Sequence, residues 1–104
     1  MTGPLQDIRV LDLTEEIVGP YATKLLADYG ADVVKVEKPE GDSARQLGPF
    51  KDGDRHPEKS GTFFYFNTNK RSVVLDLTAS AGLNSFWDLV DWADIIVEGF
   101  QPGV

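Results

Sequence analysis

Twice along the chain a short β-branched run gives way to a helical stripe and returns to a β-branched run, and few folds accept that order. "IRVLDLT" (8–14) reads as a strand, and "EEIVGPYATKLLADYG" (15–30) follows with Pro20 suited to a first helical turn and Gly30 to a C-terminal cap. Ala22, Leu25, Leu26 and Tyr29 fall on one helical face, which is expected to meet the core. "ADVVKVEK" (31–38) is the second strand. After an intervening stretch, "SVVLDLT" (72–78), a stripe of Leu83, Phe86, Trp87 and Val90, and "ADIIVEGF" (93–100) repeat the order. Thr78 stands where a helix N-cap belongs, and Phe86 and Trp87 read as core. This alternation implies an α/β fold: a parallel sheet with flanking helices. The spacing predicts strands near 8–13, 32–37, 72–77 and 94–98 and helices near 20–29 and 80–91. Between the two halves, residues 39–61 are rich in proline and glycine without an apolar period and read as a long loop, and "FFYFNTNK" allows one turn of helix.

Charge narrows the function. The net charge of −7 argues against nucleic-acid binding, which draws most of its affinity from phosphate neutralisation. Eight of the ten Lys and Arg residues lie between positions 35 and 71, with six of the seventeen acids, so this segment carries +2 while the flanking segments carry −4 and −5. Two readings of the segment stand side by side, a solvated loop of mixed charge and a local anion site. Lys35, Glu37 and Lys38 crowd the carboxyl end of the second strand, the edge at which parallel sheets bind ligands. The chain has no cysteine and one histidine, His56, which excludes thiolate metal sites. No metal is expected. No apolar run approaches the roughly 20 residues of a membrane span, and "MTGPLQDIRV" lacks a signal-peptide layout, so a cytoplasmic protein is expected.

Known site patterns fit poorly. A dinucleotide fingerprint needs several glycines after the first strand, and "TEEIVGP" supplies only Gly19. There is no P-loop and no nucleophile elbow. Asp12 and Asp76, read as mid-strand acids, each require a partner to offset desolvation and are expected to brace turns. Glu98 is placed to cap amides of the loop "GFQPGV". Asn67, Asn69, Lys70 and Arg71 are expected to hold the chain's re-entry into the third strand, with direct substrate contact as the alternative, and Arg45 to meet a phosphate or another subunit.

Four separated motifs in order, "PLQDIRVLDLT", "VGPYATKLLADYGADVVKVEKPEGD", "FNTNKRSVVLDL" and "WADIIVEGFQPGV", resemble the opening of the class III CoA-transferase (CaiB/BaiF) family. The resemblance spans the whole chain and implies that residues 1–104 are the amino-terminal part of a Rossmann-like large domain. It implies coenzyme A as substrate, its nucleotide lying along the strand ends, with an acyl-CoA and a carboxylic acid as partners and a homodimer of interlocked subunits. Carried over singly, Lys38 takes the place of an arginine that flanks the adenine or phosphates, keeping the charge but losing the planar fork. Leu75 matches a nucleotide-lining leucine, and Thr78 stands where a lysine is often found. Gly99 and Phe100 complete the implied CoA-binding set. Ile17 and Val18 stand where formyl-CoA transferases place a glutamine near the thioester, and are expected to line an acyl pocket.

The family's catalytic aspartate, which forms a mixed anhydride with the acyl group, falls beyond Val104 on this resemblance. No catalytic residue is therefore expected within the chain, and the 104 residues alone are expected to turn over no acyl-CoA. A portion of an α-methylacyl-CoA racemase and a noncatalytic Rossmann-like binding module remain alternatives to the transferase.

Overall fold

The structure, a computed structural model, describes residues 3–100. Four strands, β1 (Arg9–Asp12), β2 (Asp32–Glu37), β3 (Arg71–Val74) and β4 (Ile95–Val97), form one sheet in the order β3-β2-β1-β4. Every pairing is parallel, as the alternation requires. The helices are α1 (Val18–Asp28), α2 (Gly61–Phe66) and α3 (Ser80–Trp92). The chain begins in the middle of the sheet, adds β2 and β3 on one side, and crosses over to place β4 on the other side of β1.

Side chains of a strand alternate between faces, and here the two faces have different chemistry. Leu11, Val34 and Val36 face one way and join Leu13, with Phe86, Leu89 and Val90 of α3 packed against them. Val10 and Val33 face the other way and pack with Ala27 and Ala31 under α1. Continuing along that second face, the next positions are Asp12 on β1 and Lys35 and Glu37 on β2, all buried. The carboxyl half of this face is an ionic layer, and Asp12 and Lys35 are register partners within it.

That layer explains where the expected helix face fails. Tyr29 is 59% exposed and Leu25 39%, while Pro20, Thr23 and Ala27 are the buried residues of α1. Small side chains let α1 lie close to the sheet, and Thr23 spends its hydroxyl on Asp12 (2.7 Å). On α3 the inward stripe is Phe86, Leu89 and Val90, and Trp87 is turned out at 56% exposure.

The segment 39–61 is more ordered than its composition indicates. It carries three 3-10 turns (Ser43–Gln46, Lys51–Gly53, Pro57–Lys59) and an antiparallel bridge between Phe50 and Ser60. Ser60 then caps α2, its hydroxyl accepting from the Phe63 amide. β3 ends at Val74, so Asp76 lies in a turn, not in a strand. It accepts from the Thr78 amide (3.0 Å), which draws Thr78 away from the helix; the cap position of α3 is Ala79 and no side chain caps it.

Candidate functional site at the carboxyl edge of the sheet

Three ion pairs organise the carboxyl edge. Asp12 accepts from Thr14, Thr23 and Lys70, whose ammonium lies 2.9 Å away and also donates to the Pro20 carbonyl and Asn67. Burial alone would raise the Asp12 carboxyl, but the Lys70 charge and the Thr14 hydrogen bonds outweigh it and hold the group below its usual range. Burial pushes the Lys70 ammonium down to about 8, which leaves it protonated at neutral pH. Lys35 is buried against Asp42 (2.7 Å) and donates to the Thr14 carbonyl (2.9 Å). Glu37 takes a two-point contact from Arg45 (2.9 and 2.7 Å), whose guanidinium lies 3.7 Å from the Phe63 ring centre. Burial opposes ionisation of Glu37, and the Arg45 hydrogen bonds and the Asp42 amide overcome it, so its carboxyl too sits below its usual range.

The cation cluster is thus largely spent within the protein. Lys35, Lys38, Arg45, Lys59, Lys70 and Arg71 each face a carboxylate. Arg45, expected to meet a phosphate or a subunit, is locked on Glu37. Asn69 donates to Asp28 and Arg71 grips Asp32, which together with Lys70 pins the entry to β3 as the motif suggested. Lys38 differs from Arg71 and Lys59, which are also partly exposed, in its place: it meets Glu15 at 3.3 Å and borders a cleft at the strand ends.

Two clefts open at this edge. The larger, about 720 Å³, lies over the ends of β1, β2 and β3 and is lined by Leu13, Lys38, Pro39, Leu75, Leu83 and Phe86, among others. The smaller, about 570 Å³, lies between the ends of β1 and β4 and is lined by Thr14 to Gly19 and by Val97 to Phe100. Strand order reverses between β1 and β4, so the smaller cleft sits at the switch point at which open α/β sheets bind ligands. Leu13, Thr14, Glu15 and Phe100 border both clefts, and the β1–α1 loop is the ridge between them.

The sequence-derived residues divide along that ridge. Lys38, Leu75, Thr78 and Phe100 share the larger cleft. Gly99 lies in the smaller one with Ile17 and Val18, which are 44% and 86% exposed. Glu98 accepts from the Phe100 amide (2.9 Å), and the rest of the loop it was expected to cap, residues 101–104, lies outside the described residues. Missed from the sequence were Leu13 and Pro39 as lining, and Asp42, whose contacts span three segments. "EGDSAR" offered only a short-range hint, an Asp positioned to accept from the amide two residues on, as it does from Ala44 (2.8 Å). Among the described residues no group of His, Cys, Asp and Glu could hold a metal, and no helix is long and apolar enough to cross a membrane.

A model of the family described as CoA-transferase family III matches residues 5–104. The chain belongs to CoA-transferase family III. Among its relatives, a succinyl-CoA:mesaconate CoA-transferase of Haloarcula hispanica is 51% identical over 102 residues, covering 97% of this chain and 26% of the relative. A formyl-CoA:oxalate CoA-transferase of Streptomyces avermitilis is 45% identical over 104 residues, covering 99% of this chain and 24% of the relative. The crystal structure of a CaiB/BaiF family protein from Brucella suis superposes with a TM-score of 0.87 at 36% identity, over 99% of this chain and 27% of that one. The chain spans about a quarter of the length of these family III proteins.

Proposed function

We propose that this chain is the amino-terminal part of the large domain of a CoA-transferase that moves CoA between an acyl-CoA and a carboxylic acid, and that it contributes part of the CoA site. The observation that carries the reading is the convergence of Lys38, Leu75, Thr78 and Phe100, from the three segments that follow β2, β3 and β4, on one cleft at the strand ends. The larger cleft would take the nucleotide, with Leu75 and Phe86 offering apolar surface to the base and Lys38 a cation to a phosphate. The pantetheine arm would pass Phe100 into the switch-point cleft, where Ile17 and Val18 offer apolar contact to the acyl end. Membership among proteins named as CoA-transferases favours transfer over racemisation. On the same reading the whole protein is a cytoplasmic homodimer of interlocked subunits.

Catalysis itself is assigned to residues outside this chain. A mixed anhydride needs a free carboxylate beside the thioester and a pocket closed to water. Glu15 accepts from the Ser43 amide (3.1 Å) and faces Lys38, Glu98 holds the Phe100 amide, and Glu16 is exposed to solvent. Titration of CoA and of 3′-dephospho-CoA into the protein and into Lys38→Ala tests the reading. Lys38→Ala should weaken CoA by about tenfold, the scale of one charge-assisted hydrogen bond. Equal affinity of CoA for both proteins would remove Lys38 from the site.

A further inference from the structure

The ridge between the two clefts does not hold itself. Between β1 and α1 the loop is folded back so tightly that a Cβ on Gly19, in the first turn of α1, would collide with the Thr14 side chain. Glu16 sits at φ 69°, a left-handed conformation that residues with side chains adopt rarely. What holds it comes from another part of the chain. Asp42, from the turn after β2, has a fully buried carboxylate whose Oδ1 accepts from the Glu16 amide at 2.9 Å and from the Ala44 amide at 2.8 Å. Its Oδ2 has no well-aligned hydrogen-bond donor and is met by the Lys35 ammonium at 2.7 Å. Lys35 in turn donates to the Thr14 carbonyl at 2.9 Å. The Asp42 amide is itself tied to Glu37 (3.0 Å). One buried ion pair thus grips the loop at Thr14 and at Glu16, on either side of Glu15.

We infer that Asp42 is a positioning residue: directly at Glu16, and through Lys35 at Thr14, it fixes the β1–α1 loop in the shape that separates the clefts, and so sets the affinity for CoA. This rests on the reading of the clefts as the CoA site. Asp42 and Lys35 border the larger cleft, but their charged groups are buried against each other and not open to a ligand. The effect of Asp42 passes through the loop backbone, which presents Glu15 to Lys38 on one side and Ile17 and Val18 on the other.

Removing Asp42 alone would leave Lys35 buried without a counter-charge, so the test removes both in Lys35→Met/Asp42→Ala. A third protein adds Glu16→Gly, because glycine takes a positive φ without a steric penalty. Two quantities are measured: amide hydrogen exchange in the free protein, and CoA affinity by titration. In the double variant, exchange at residues 14–17 should rise while amides of β1, β2 and α3 keep their protection, and CoA affinity should fall by about tenfold, the scale of the one charge-assisted hydrogen bond, Glu16 amide to Asp42, that the loop loses. Adding Glu16→Gly should recover most of that affinity. A merely structural role would raise exchange throughout the domain and leave affinity indifferent to Glu16→Gly, and that result overturns the inference. So does wild-type exchange in the loop of the double variant. Failure of the unaltered protein to bind CoA would sink the functional reading instead, and loop exchange would still decide whether Asp42 holds the ridge.

Discussion

The Asp12 carboxylate and the Lys70 ammonium meet at 2.9 Å across 58 residues of chain, with 0% and 1% of their side chains exposed. The contact joins the end of β1 to the entry of β3, two strands that are not neighbours in the sheet. It stands at the floor of the ionic layer that carries the carboxyl edge.

Breaking this pair from one side should be worse than removing it. Lys70→Met leaves a buried carboxylate with only hydroxyl and amide donors, and the expected cost is about 3–5 kcal/mol. Asp12→Asn/Lys70→Met removes the stranded charge and should be the more stable of the two variants. Urea unfolding of the wild type, both single variants and the double variant measures the coupling. Additive losses would show that the two groups act independently.

Acid should attack the same layer. Glu37 and Asp12 have folded-state pKa values below their ordinary values of 4.5 and 3.8. As pH falls through those values the unfolded chain takes up protons before the folded one does, so stability is present above that range and is lost progressively below it. Glu37→Gln should be less stable at neutral pH and should show a shallower loss between pH 5 and about pH 3. Chemical unfolding at several pH values reads this, and an unchanged acid slope would mean that Glu37 is not a source of it.

The strands were legible because β-branched runs bounded by turn residues admit little else: β2 lies where "DVVKVE" placed it, and β1 and β4 fall inside their expected ranges. The inward faces of the helices were less legible. A hydrophobic stripe names the greasiest side of α1, yet the sheet beneath it offers Asp12, and a threonine and an alanine fit there better than Leu25 or Tyr29. Lys38, Leu75, Thr78 and Phe100 were named from their motifs, and the fold brings them to one cleft because each sits at a strand end or just beyond it. The cation count misled for a physical reason: composition counts Arg45 and Lys70 as available charge, whereas the fold spends them on Glu37 and Asp12. Nothing local in "GDSAR" shows that Asp42 will reach Glu16, because that contact exists only once β1 and β2 lie side by side.

The chain alone should exchange no CoA between acyl-CoA donors and carboxylate acceptors. In a coupled assay with succinyl-CoA, formyl-CoA and acetyl-CoA, rates should equal the protein-free background. Exchange that disappears in Glu15→Gln or Glu16→Gln would make one of these acids a nucleophile and would show the 104 residues to be a complete catalyst.

The central claim is that CoA occupies the carboxyl edge of the sheet, and amide chemical-shift mapping during a CoA titration tests it most directly. The account predicts saturable shifts at Leu13 to Glu15, Lys38, Leu75 to Thr78 and Phe100, with β3's first residues and the outer face of α1 silent. A separate cleft of about 660 Å³, lined by Phe50, Lys51, His56 and Phe64, provides the internal control. Shifts confined to that cleft, or no saturable shift at the strand ends at millimolar CoA, would contradict the account.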